Sequence, residues 1–175
     1  MSLVDNANMD EIYSFDKLMH ETRQLAAKYR LATGTTLPVT GEIARFDVAK
    51  ALNLELIDDI TVGHDAIGLG KRAGIKVLIK GRVIFEDSRS TPRLGQVNPD
   101  GRWDNVVMVL FDDDYMPVEM YEATSDDIKL AQKAKDGSPS KKRTNMSVAQ
   151  FKIIGKLVWT QEGGIEQEIW DNQSE

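Results

Sequence analysis

The sequence predicts an α+β protein: a central mixed, largely antiparallel sheet of about four to five strands flanked by helices. Three observations carry this. Two segments near the start have helical spacing of apolar residues. The middle of the chain is a series of short Ile, Val and Leu runs parted by Gly and Asp turns. A last segment returns to helical spacing.

Residues 8–31, "NMDEIYSFDKLMHETRQLAAKYRL", read as the first helix, with Ile12, Phe15, Leu18, Met19, Leu25 and Tyr29 at roughly helical intervals. "TGTTLPVTGE" breaks it. A second helix is expected over 41–52 with Thr40 as N-cap, an apolar stripe of Ile43, Phe46, Val48, Ala49 and Leu52, and Glu42 in the first turn, where the helix dipole favours an acid. "LELI" reads as an edge strand, and "HDAIGL" and "GIKVLIKGRVIF" as two strands of a hairpin around "GKRA". Residues 86–105 carry both Pro and Gly and read as a long loop, a length that often serves function. "VVMVLF" (106–111) and "VEMYEA" (118–123) form an antiparallel pair around the "DDDYMP" turn. Ser125 opens a helix to about Lys135, "DGSPSKKRTN" is a linker, and 146–159 is an amphipathic helix with Val148, Phe151, Ile154, Leu157 and Val158 inward. Residues 161–175 are acidic and expected to fray.

The 175 residues fit one domain, and their shares of apolar (41%) and charged (29%) residues are those of an ordinary globular protein. The polar opening "MSLVDNANMDE" is unlike a signal peptide, and no apolar run approaches the roughly 20 residues of a membrane helix. The chain has no cysteine, which excludes disulfides, thiolate zinc sites and a Cys nucleophile, and suits the cytoplasm. With two histidines, His20 and His64, a bound metal would use carboxylate oxygens, which points to magnesium, manganese or calcium. Net charge is −6, yet residues 133–156 hold seven basic side chains against Asp136 alone, a candidate polyanion contact or a solvated helix face.

The hairpin is the chemically distinctive part. A strand alternates faces, so Ile75, Val77 and Ile79 share the core side while Lys76, Leu78, Lys80 and Arg82 share the other. Antiparallel pairing with 64–69 would bring Asp65 towards Lys80. Glu42 reaches the same place if helix 41–52 packs on the sheet. An Asp, a Glu and a Lys at one sheet edge suit metal-assisted phosphodiester cleavage: carboxylates hold a hard cation, and the ammonium stabilises developing negative charge on phosphorus oxygens.

"TGE" with Glu42, "GHDAI" with Asp65 and "IKVLIKGR" with Lys80 resemble, in order and spacing, the PD-(D/E)XK nuclease superfamily and its restriction-endonuclease-like fold. They look in particular like a family of small bacterial proteins that read "TGEIGE", then "G-[YF]-DAI", then "V-Q-I-K-[TS]-R". The resemblance covers residues 37–160. It implies a DNA endonuclease dependent on Mg2+ or Mn2+, plausibly a homodimer. It makes Glu42, Asp65 and Lys80 catalytic, with Asp65, Glu42 and the Ile79 backbone carbonyl towards the metal. The phosphate backbone would meet Lys76, Arg82, Arg89, Arg93, Arg102, Lys141, Lys142, Arg143, Lys152 and Lys156. Leu78 departs from the pattern, because it occupies the acidic or amide position and cannot ligate a metal. The alternative is a module of the same fold that binds nucleic acid or protein and cuts nothing.

Overall fold

Asn105–Phe111 (β5) is the spine of the sheet: Val106 to Phe111 are all apolar and buried. A run without polar alternation belongs to a strand covered on both faces. The structure, a computed structural model, describes residues 14–98, 100–133 and 145–165. In it β5 lies between Lys76–Val83 (β3), parallel to it, and Pro117–Thr124 (β6), antiparallel. Outside β3 come Ala66–Gly68 (β2) and then Leu54–Leu56 (β1). Outside β6 come Lys156–Thr160 (β8) and Gly164–Ile165 (β9). The result is a seven-stranded mixed sheet in which only the β3–β5 pairing is parallel. The sheet is wider than the sequence suggested, because β8 continues a helical apolar pattern and reads as helix, and β9 has only two residues and reads as tail.

Four α-helices stand among the described residues: Phe15–Thr33 (α1), Thr40–Leu52 (α2), Ser125–Lys133 (α3) and Val148–Ile154 (α4). One sheet face buries Val77, Ile79, Val107, Val109 and Phe111 against Ile43, Ala44 and Val48 of α2. The other buries Val106, Met108 and Leu110 under Ile128 of α3, Phe151 of α4 and a ribbon of Arg93–Gln96 (β4) with Asn145–Ser147 (β7). That ribbon corrects the expectation of a structureless loop over 86–105. Arg-Leu-Gly-Gln carries little strand propensity of its own, and β4 exists because β7, some fifty residues later, pairs with it.

Three further expectations change. Thr40 is the first helical residue of α2; Val39 occupies the cap position and offers no side-chain acceptor. The helix expected over 146–159 is split: α4 opens with a capping box, Ser147 with Gln150, and closes at Gly155, after which Lys156, Leu157 and Trp159 pair with β6. Residues 164–165 join the sheet as β9, so the tail begins later than 161; residues 166–175 lie outside the described residues.

The packed face of α1 is also not its large-apolar stripe. Phe15, Leu18, Leu25 and Tyr29 remain exposed, while Arg23, Ala26 and Ala27 are buried. Arg23 makes two charge-assisted hydrogen bonds to Asp47 of α2 and donates a third to the Tyr115 carbonyl at 2.8 Å. Tyr115 sits in the β5–β6 turn in the left-handed region, φ 60°, so its carbonyl is aimed by a turn rather than by a ladder. Among the described residues no helix is long and apolar enough to cross a membrane.

Candidate active site at the open edge of β3

The site is made by β2 ending early. It pairs with β3 only through Ala66 and Ile67, opposite Val77 and Lys76. One residue earlier, the Asp65 N–H still donates to the Val77 carbonyl at 2.9 Å. Beyond that the edge of β3 has no partner strand among the described residues, and the Asp65 side chain takes its place: Oδ2 accepts from the Ile79 N–H at 2.7 Å. Val77 and Ile79, two apart, direct their backbone groups to the same edge. The Ile79 carbonyl therefore faces the side on which Asp65 lies.

Two other elements close on this edge. α2 crosses the core face so closely that a methyl at Gly81 would lie 2.6 Å from Ala44 Cβ. That approach puts the first turns of α2 beside Asp65. Glu42 is largely exposed, and its Oε2 lies 3.3 Å from Nη1 of Arg45, one helical turn on. The same guanidinium donates to the Ile57 carbonyl at 2.7 Å and holds its Nε 3.6 Å from Asp65 Oδ1. That Nε is buried and has no hydrogen-bond partner. Glu42 and Asp65 are thus linked through Arg45, which the sequence reading did not single out. The signal was available: an Arg three residues after the motif acid shares its helix face.

Lys80 enters from the opposite side, on the charged face of β3 with Leu78. It is half-buried and, among the described residues, makes neither a hydrogen bond nor an ion pair. Burial pushes its pKa below the ordinary lysine range, the charge of Asp65 opposes that, and the charge of Arg82 adds to it. A half-desolvated ammonium without an acceptor is suited to receive an anion. No known protein family and no curated protein matches this chain.

The other basic residues divide. Arg82 is taken up by the backbone: its guanidinium donates to the carbonyls of Gly81, Arg93 and Leu94, which ties β4 to β3. Arg82→Ala is expected to cost about 2 kcal/mol in urea unfolding, the loss of charge-assisted bonds to buried carbonyls, and to loosen β4. Lys152 is paired with Glu119 at 2.6 Å and lies over the Tyr121 ring. Burial would lower its pKa, but the Glu119 hydrogen bond and charge outweigh that and raise it. Arg89 is exposed, as is Arg93, which donates to the Asn145 carbonyl at 3.4 Å. Lys156 is exposed on β8, opposite Glu122. Lys76 and Arg102 line a hollow beside Lys80, together with His64, whose Nδ1 is buried without a partner. Lys141, Lys142 and Arg143 lie outside the described residues, as does Trp170. Trp103 is buried in the core, and the Asp112–Asp114 run forms the turn, with Asp112 accepting from the Asp114 and Met116 N–H groups.

Among the described residues no three acidic or histidine side chains gather into a metal cage. The hard oxygens at the edge, Asp65 Oδ1 and the Ile79 carbonyl, fit a magnesium or manganese ion that keeps most of its waters, which is how magnesium commonly binds. The Arg45 guanidinium, its Nε 3.6 Å from Asp65 Oδ1, is a positive charge that competes with a cation for that oxygen. Glu42 approaches such an ion only if Arg45 yields, and Leu78 contributes no donor.

Proposed function

We propose that this protein is a divalent-metal-dependent DNA endonuclease with a restriction-endonuclease-like core of the PD-(D/E)XK kind. The observation that carries the reading is the meeting of Asp65, the Ile79 carbonyl and the unpartnered Lys80 ammonium at the one edge of β3 left open by β2. Lys80 would bind a non-bridging phosphate oxygen and stabilise the charge that grows there as water attacks. Asp65, fixed by the Ile79 N–H, would present its second oxygen without reorganising. Bound Mg2+ or Mn2+ would supply Lewis acidity and a water of lowered pKa. Arg45 holds Glu42 at the entrance, and a pair of copies acting on two strands follows from the same resemblance.

A second reading has its own observations. Leu78 stands where the superfamily has an acid or amide, and Arg45 already lies between the two carboxylates. Both favour a module that holds nucleic-acid phosphate and does not cut.

Supercoiled plasmid incubated with Mg2+ or Mn2+, and with EDTA, separates them. The nuclease reading expects metal-dependent nicking by the wild type that both Asp65→Asn and Lys80→Ala abolish. Salt-dependent retardation of the plasmid without nicking establishes the binding module instead. Asp65→Asn keeps an oxygen acceptor for the Ile79 N–H, so its loss of activity is not a loss of the strand edge.

A further inference from the structure

The charged face of β3 opens into a cleft of about 440 Å3, within the range of small-ligand sites. It is graded in chemistry. Lys80 and Arg102 place cations at the cleft, Leu78 gives it apolar surface beside the buried Trp103, and Gln96 at the end of β4 and Asn98 in the loop after it bring amides. Leu78 and Lys80 are two residues apart on one strand face, so their Cα atoms lie roughly 6–7 Å apart. The walls are built closely. A methyl at Gly101 would lie 2.1 Å from Trp103 Nε1, and one at Gly63 would lie 3.3 Å from Arg102 Cβ. Asn98 Oδ1 accepts from the Asp100 N–H at 3.0 Å, which leaves the amide NH2 of Asn98 as a donor. Asp100, the one acid among the lining residues, is an acceptor.

A phosphate at one end, a flat apolar body a few ångströms away and a polar edge beyond it describe a nucleotide. We propose that this cleft binds a single unpaired nucleotide of a nucleic-acid strand, its phosphate on Lys80 and Arg102 and its base against Leu78, with Gln96 and Asn98 at the base edge. The inference rests on the reading of Lys80 as a phosphate ligand. It gives Leu78 a positive role: an acid there would repel the strand, and an apolar side chain accepts the face of a base. A base stacked and paired inside a duplex cannot enter a cleft of this size; one at a strand end, gap or bubble can.

Fluorescence anisotropy in EDTA, with a labelled short single strand and a blunt duplex of the same length, tests this without cleavage. The single strand is expected to bind about tenfold tighter or more, the scale of one stacked base. Leu78→Asp, and Asn98→Trp, which fills the cleft from an exposed loop, are expected to reduce that preference to near unity. Asn98→Trp should leave the unfolding midpoint unchanged, so its effect is on the cleft and not on the fold. Equal or tighter binding of the duplex by the wild type, or an undiminished preference in Asn98→Trp, overturns the nucleotide cleft and leaves the phosphate reading standing. Absence of salt-dependent binding to either probe overturns both.

Discussion

Replacing Arg23 with Ala is expected to lower the unfolding free energy by about 3–5 kcal/mol, the cost of leaving a buried charge without its partner. For a chain of this length that is a fall in Tm of about 6–20 °C. The reason is local. Asp47 is 8% exposed and loses both of its Arg23 bonds, and the Tyr115 carbonyl loses its donor. The double change Arg23→Met with Asp47→Leu removes both charges together and should recover most of the loss, since apolar replacement of a buried pair is often near neutral. It should stay about 1–3 kcal/mol short, because the Tyr115 carbonyl remains unsatisfied. Thermal and urea unfolding of the two variants beside the wild type read this directly. Equal destabilisation by the single and the double change would mean that packing, and not charge, seats α1.

Gly81→Val is expected to be nearly as damaging to stability, at about 3 kcal/mol or more, and more damaging to the site. Even the first carbon of the new side chain would lie 2.6 Å from Ala44 Cβ, 3.1 Å from Phe111 Cε2 and 3.2 Å from the Thr40 carbonyl. Two of those three contacts belong to α2, so the helix must lift. Lifting it moves Glu42 and Arg45 away from Asp65, whose hold on the Ile79 N–H is unaffected. Metal-dependent nicking, or strand binding, should therefore fall further than the loss of folded protein explains. The milder Gly81→Ala combined with Ala44→Gly restores the space and should regain the site, at about 1 kcal/mol for a glycine inside a helix. Unfolding curves and plasmid assays run on the same preparations separate the two effects.

Much of this was legible in the sequence, and the rest was hidden for identifiable reasons. The hairpin could be read, because Ile75, Val77 and Ile79 alternate strictly with Lys76, Leu78 and Lys80 and nothing but a strand uses that period. β5 could be read from its unbroken apolar run. That Asp65 lies beside β3 could be read from the order of the hairpin's elements. β4 could not, since its partner is remote in sequence, and neither could the break at Gly155, where a helical period runs straight into a strand. The exposed stripe on α1 misled for a related reason: the helix is seated by an arginine and two alanines, which no hydrophobic count favours. Arg45 and the nucleotide-sized cleft depend on where a helix and a loop come to rest, and that is set by packing around Gly81, Gly63 and Gly101.

The seat of α1 also bears on the order in which the protein can be assembled. Arg23 takes its third bond from a carbonyl 92 residues further along the chain, in a turn that exists only once β5 and β6 have paired. During synthesis that helix emerges long before its anchor does. Until the turn forms, an arginine meant for the interior faces water. α1 is thus synthesised well before it can be fastened, and in the interval it stands to gain from a chaperone.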